Sequence, residues 1–380
     1  MSLMRGTQVP TVLHLIDTGG PGGAETVFSQ LVRHLGDGDT RSVAVIPREG
    51  WLSGQLRTLG VEPVIIDARG SLNIAYLREL VRLARQNDVQ LIHTHLLGSA
   101  VYGALLGLLT RRPVIAVMHG PHDFRTAGRF PGLKRWLLGH ACRKVVAVSA
   151  STREAMIDFG IQPGHITLVP NGVDTRVFSV AGPAGEGRAL RDELKLGAND
   201  VLIGAVGNIR APKAYDVLLN AAALLLKRVP NACFAVVGEG NEKAFEPLLA
   251  LRKSLGLESR FHFLGFRKTT PELLRNFDVF VSSSRSEGLP LSFLEAMATG
   301  RTMVATRSGG AEEVIEPDRS GWLVPIENPQ ALADALERAA REPELRARLG
   351  KAARERVEKD FSLQATVQRY ASLYAELLPK

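Results

Sequence analysis

Short apolar runs alternate with helix-length segments along this chain, and the rhythm starts twice, which constrains the fold more than any other feature. In the first half, strand patterns stand at Val12 to Ile16, Ser42 to Ile46, Pro63 to Ile66, Val89 to His93, Val114 to Val117, Lys144 to Val148 and Ile166 to Val169. Helix patterns separate them at 24–35, 54–59, 74–86 and 98–109. Strands this short and this uniformly apolar are buried on both faces, as in a parallel sheet covered by helices. After the turn Asn171-Gly172-Val173-Asp174, residues 179 to 190 are small and glycine-rich, a linker or exposed loop. The rhythm then restarts with strands at 201–206, 233–237, 260–263, 277–281 and 302–306, and with helices at 214–227, 242–255, 291–299, 329–341, 344–358 and 363–378. The expected fold class is α/β, two doubly wound Rossmann-like domains facing a central cleft. The first would span 1–178, a linker 179–195, the second 196–362, and a terminal helix 363–380. A chain of 380 residues suits two domains of this kind.

Composition removes several function classes. With 45% apolar and 23% charged residues the chain is an ordinary globular protein. The longest apolar candidate, Val101 to Leu109, stops at Arg111 and Arg112, short of the roughly 18 residues a membrane span needs. No signal core stands at the amino terminus, and Cys142 and Cys233 are the only cysteines, so a cytoplasmic protein without disulfides or a cysteine zinc site is expected. The net charge of +8 is unevenly spread: Arg111, Arg112, Arg125, Arg129, Lys134, Arg135, Arg143 and Lys144 face only Asp123 within that segment. With Phe124, Phe130, Trp136, Leu137 and Leu138 among them, the segment reads either as a surface for an anionic membrane, at its inner face, or as a solvated face over buried apolar residues. No nucleic-acid reading motif accompanies the charge, so nucleic acid is not expected.

The chemistry-bearing motifs follow strands. Gly19-Gly20-Pro21-Gly22-Gly23 lies between the first strand and a helix, where backbone amides can face an anion; Glu25 occupies the third position of a dinucleotide fingerprint. Arg210 and Lys213 follow the first strand of the second half, where two cations can neutralise a diphosphate. Gly238-Glu239-Gly240 reads as a turn, and Gly309-Gly310 precedes Glu312-Glu313 at a helix start. His93, His95, His119 and His122 gather near two strand ends, as a metal site or as packed, hydrogen-bonded rings, with His93 and His95 on one side of their strand. Asp37-Gly38-Asp39 reads as a turn rather than a metal-carrying Asp-x-Asp. Glu287 and Glu295 bracket Gly288-Leu289-Pro290-Leu291 at the carboxyl end of a buried strand, where open α/β sheets bind ligands. Ser292-x-x-Glu295 also has the spacing of a capping box, and the two glutamates could be a glycosidase-like pair.

Taken together, Gly22-Gly23-Ala24-Glu25, His119-Gly120, Val169 to Asp174, Val206-Gly207 with Lys213, Val237 to Gly240, Phe263-Leu264-Gly265, Glu287 to Glu295 and Gly309 to Val314 resemble the retaining glycosyltransferases of family 4, with their GT-B fold and E-x7-E motif. The resemblance implies that Glu295 holds the nucleotide ribose, and that Glu287 with the Gly288, Leu289, Pro290 and Leu291 backbone contacts the donor sugar and phosphates. Arg210 and Lys213 would bind the diphosphate, the Gly22-Gly23 loop would approach it from the acceptor-side first domain, and His119 would touch the sugar near the reacting carbon. The backbone around Phe266 would meet the base, and the terminal helix would cross back to the first domain. Two positions depart from the family pattern: Asn208 stands where arginine is usual, leaving Arg210 to substitute, and Ala214 replaces the glycine after the lysine.

The implied function is a metal-independent, retaining hexosyltransferase without a cofactor. It would take a UDP- or GDP-sugar and a saccharide, glycolipid or lipid-linked acceptor, in bacterial surface polysaccharide or lipopolysaccharide synthesis. A catalytically silent nucleotide-sugar-binding scaffold of the same fold is the alternative.

Overall fold

The computed structural model describes residues 9–36, 40–68, 73–125, 128–182, 189–268 and 270–378. They form two compact units: residues up to Pro170 together with Gln364 onward, and Asn171–Leu363. The turn at Asp37-Gly38-Asp39 lies outside the described residues, as do 183–188 of the small-residue stretch.

The first unit is a parallel sheet of seven strands: β1 (Thr11–Ile16), β2 (Arg41–Ile46), β3 (Val64–Ile65), β4 (Val89–His95), β5 (Val114–Met118), β6 (Lys144–Ala147) and β7 (Ile166–Leu168), in the order β3-β2-β1-β4-β5-β6-β7. Every residue of β1 is buried, because helices cover both faces and a strand there has no wet side. Local signals start the helices. Asn73 caps Ile74–Gln86 by accepting from the Tyr76 amide, and Tyr76, Leu80 and Ala84, four residues apart, form its buried stripe. The helix Leu363–Leu377 packs into this unit: Thr366 donates to the Pro170 carbonyl, and Tyr370 and Tyr374 are buried against His93.

The second unit is a parallel sheet of β8 (Val201–Val206), β9 (Ala232–Val237), β10 (Phe261–Phe263), β11 (Val279–Ser282), β12 (Thr302–Thr306) and β13 (Gly321–Val324), in the order β10-β9-β8-β11-β12-β13. In both sheets the chain order reverses beside the first strand, between β1 and β4 and between β8 and β11, so the loops after those strands part and leave a crevice. The chain enters and leaves this unit on adjacent segments, with the Val173 amide on the Phe361 carbonyl and the Leu363 amide on the Val173 carbonyl. The first unit therefore ends eight residues before the boundary expected at 178, and the last residues before the expected linker are held in the second: Arg354 donates to the carbonyls of Thr175 and Phe178.

Candidate active site

In the second unit, the loops leaving β8 and β11 bring a cation and a carboxylate together. Lys213 Nζ donates to Glu287 Oε1 at 2.7 Å, and Ser284 Oγ donates to the same oxygen at 2.6 Å. Ser283 Oγ holds the Lys213 carbonyl at 2.9 Å, so the lysine is fixed at backbone and side chain. Arg285 completes the brace: its amide donates to the Pro212 carbonyl, and its guanidinium bonds Asp216, Glu327 and the Ala211 carbonyl. Motif reading missed Arg285, whose charge pattern is unremarkable until the fold places the 211–213 turn beside it. Arg210 precedes that turn with an exposed side chain that has no partner among the described residues.

Ala214, which replaces the glycine usual in the family the sequence resembles, sits at φ 50°, in the left-handed region where Cβ is penalised. The backbone approach that glycine permits is used elsewhere. A Cβ on Gly238 would lie 2.1 Å from the Gly207 carbonyl oxygen, and one on Gly310 1.5 Å from that of Gly288. The Gly238 amide in turn donates to the Gly265 carbonyl, which sets the loop carrying Phe266, a residue 36% exposed.

Gly288 and Leu289 are buried, and the Leu289 carbonyl accepts from Asn171 Nδ2 at 2.8 Å. Leu291 opens the helix Leu291–Ala298, with Pro290 as its cap residue and no side-chain cap bond. Ser292 is thus already inside the helix, and the capping box with Glu295 does not form. The Glu295 carboxyl has no hydrogen-bond or ion-pair partner among the described residues, and burial pushes it up to about 7. Glu287 is engaged by Lys213 and Ser284 while the Glu295 side chain stands without a partner among the described residues, so the two carboxylates sit in different settings.

In the first unit, Gly23 opens the helix Gly23–Gly36, and the Gly22 carbonyl accepts from the Thr26 amide and hydroxyl. Glu25 folds back over Gly22, where a Cβ would meet its carboxylate at 2.3 Å. Asp17, at the end of β1, was not legible as a site residue. It lies against bare Gly98 at the start of the helix Leu97–Thr110, and burial raises its carboxyl to about 6. His119 follows β5, and its Nε2 lies 2.9 Å from His95 Nδ1. His93 Nδ1 meets the Tyr374 hydroxyl at 2.6 Å, His14 Nε2 meets Ser42 Oγ at 3.2 Å, and His14, His93 and His95 are fully buried. Burial holds these rings neutral, lowering His14 to about 3, His119 to about 4, and His93 and His95 well below 6.5. The rings are packed and hydrogen-bonded; no group of His, Cys, Asp and Glu among the described residues is arranged to hold a metal. His122 begins the short helix His122–Arg125.

Of the apolar residues expected on the basic segment, Phe124 is buried in the core from the short helix His122–Arg125, and Leu137 and Leu138 are buried because the chain from Pro131 to Ala141 is helical and turns one side inward. Phe130 and Trp136 are exposed, joined by Leu133. No helix among the described residues is long and apolar enough to cross a membrane.

Comparison with known proteins places both halves. Residues 21–177 match the profile of Glycosyltransferase Family 4, and residues 188–356 that of Glycosyl transferases group 1. A D-inositol 3-phosphate glycosyltransferase of Frankia alni is 30% identical over 360 residues, covering 90% of this chain and 84% of that one. An Escherichia coli UDP-Gal:alpha-D-GlcNAc-diphosphoundecaprenol alpha-1,3-galactosyltransferase is 25% identical over 347 residues, covering 87% of each. Among solved structures, Anabaena HepE in complex with UDP and glucose superposes with a TM-score of 0.86 at 24% identity, over 97% of this chain and 100% of that one.

Proposed function

The chain belongs to glycosyltransferase family 4, and from that premise we propose that it transfers a hexose-type sugar, with retention and without a metal, from a UDP- or GDP-sugar to a saccharide, glycolipid or lipid-linked acceptor. The setting we propose is the assembly of a bacterial surface polysaccharide or lipopolysaccharide. The observation that carries this reading is the Lys213–Glu287 pair at 2.7 Å, held on the diverging loops of β8 and β11. A half-buried ammonium already paired with a carboxylate is a ready exchange partner for a diphosphate. When the diphosphate takes Lys213, Glu287 is released to accept from hydroxyls of the sugar. The Escherichia coli relative, named for UDP-Gal and a lipid-linked diphosphate acceptor, supports a UDP-sugar and a lipid-linked acceptor.

The departing diphosphate gains negative charge as the bond from the reacting carbon to the phosphate oxygen breaks. Lys213 and Arg210 oppose that charge in place, which is the largest single contribution a fixed site makes to such a step. In this proposal, carried over from the family motifs, Glu295 anchors the ribose hydroxyls, the Gly288 to Leu291 backbone serves the phosphates and the loop at Phe266 meets the base, while the Gly22-Gly23 turn and His119 take the family's roles toward the phosphates and the sugar. The acceptor oxygen then bonds to the carbon on the face the phosphate leaves, and its proton passes to the phosphate oxygen.

The test is a transfer assay on Lys213→Ala and Glu287→Gln with UDP- and GDP-hexoses, the product anomer read by NMR. Turnover should fall by about a hundredfold to a thousandfold with the fold intact, and the product should keep the configuration of the sugar nucleotide. A glycosyl group trapped on a carboxylate would overturn the same-face route. Binding without transfer from any sugar nucleotide would favour the silent scaffold instead.

A further inference from the structure

The His119 ring is held by another ring. Its Nε2 lies 2.9 Å from His95 Nδ1, and the two rings stack at 5.2 Å with 21° between their planes. His95 has no freedom to turn: Phe28 packs perpendicular to it at 5.3 Å, His93 lies at 4.7 Å, and Ser99 holds its backbone carbonyl. Both imidazoles are neutral, since burial keeps them from protonation. A neutral imidazole has one N–H and one bare nitrogen, so one proton lies between the two rings and each ring's other nitrogen is fixed by it.

Which ring donates is decided on the far side of His95, whose Nε2 is buried with no hydrogen-bond partner among the described residues. A proton there would be an orphaned buried N–H, and such groups are rarer in folded proteins than under-used acceptors. His95 therefore carries its proton on Nδ1 and donates to His119 Nε2. His119 must then carry its own proton on Nδ1, which has no partner among the described residues.

We propose that His95 is a positioning residue for sugar transfer: it fixes His119 as the Nδ1–H tautomer, so that His119 offers an N–H, and not a lone pair, to a hydroxyl of the transferred sugar. The proposal rests on the reading of His119 as a sugar-contacting residue. It adds a reason for the histidine at 95, which no substrate need touch.

Nitrogen-15 NMR of histidine-labelled protein tests it without substrate. In the wild type the His119 ring should show Nδ1 protonated and Nε2 bare. In His95→Phe, which keeps ring shape and stacking, it should relax to the Nε2–H form that free imidazole favours. His95→Asn, whose amide N–H stands near the lost Nδ1, should restore the first pattern. UDP release from UDP-glucose and UDP-galactose should show kcat about a hundredfold lower in His95→Phe with KM little changed, and partial recovery in His95→Asn. A wild-type His119 protonated on Nε2, or a tautomer indifferent to His95→Phe, overturns the proposal even if the variants fold poorly. Failure of the underlying reading is seen separately: His119→Ala turning over at the wild-type rate would remove His119 from the reaction, and this proposal with it.

Discussion

Glu295 and the buried imidazoles carry opposite consequences of the same desolvation. With its carboxyl raised to about 7, Glu295 is half ionised at neutral pH, and only the ionised form is a strong acceptor for two ribose hydroxyls. UDP affinity, followed by calorimetry, should therefore weaken by about tenfold per pH unit below 7, and Glu295→Gln should bind weakly and without that dependence. The imidazoles govern stability. His14, His93, His95 and His119 have folded-state values below the unfolded 6.5, so the unfolded chain binds more protons as pH falls. Their contribution is whole above about 6.5 and is lost on acidification toward about 4. Asp17 and Glu295, raised to about 6 and about 7, bind protons in the folded state over part of that window and offset some of the loss. Each net proton is worth about 1.4 kcal/mol per pH unit. Urea midpoints should drop from pH 7 to 5.5, and less so in His14→Phe; parallel slopes would show that the buried rings are not the cause.

Among the elements, the loop after β11 is shaped by contacts that sequence spacing does not carry. Gly310 and Gly288 meet backbone to backbone, and neither side can move as a flexible side chain would. Gly310→Ala should destabilise by about 1–3 kcal/mol and weaken UDP binding, because the Gly288 to Leu291 backbone must shift; an unchanged urea midpoint and affinity would contradict this. Where periodicity is strong, reading and structure coincide: the helices at 74–86 and 329–341 carry clear apolar stripes and asparagine caps at Asn73 and Asn328. Where it is weak, elements escaped. The helix Ala150–Asp158 buries only Thr152 and Met156, and β13 is four residues long and opens on Gly321, whose bare Cα fits against the Met303 carbonyl. Lys213 and Glu287 were legible because their motifs follow strands, whereas their mutual bond, the Arg285 brace and Asp17 depend on contacts between distant segments.

For the whole molecule, alternation placed His93 and His95 on one side of β4, but not what would cover them. The partner of His93 is Tyr374, 281 residues later, on a helix that closes the first unit, and His95 is packed by Phe28 and His119. The outer surface of the same unit carries the basic segment, where Phe130, Leu133 and Trp136 are exposed beside Arg129, whose guanidinium lies 5.6 Å from the Phe130 ring. We propose this patch as the contact with an anionic membrane. Sedimentation with phosphatidylglycerol vesicles should be strong at low salt, weak at high salt, and lost in a Phe130→Ser, Trp136→Ser double variant; equal binding to neutral vesicles would count against it.

Thermal denaturation with UDP- and GDP-hexoses tests whether the loops after β8 and β11 receive a nucleoside diphosphate sugar through Lys213. One of them, at a hundred times its dissociation constant, should stabilise the wild type by about 2.7 kcal/mol. The same concentration should leave Lys213→Ala nearly unshifted, although that variant folds alone as well as the parent. An equal shift in both proteins, or no shift with any sugar nucleotide, would rule out Lys213 as the diphosphate's partner.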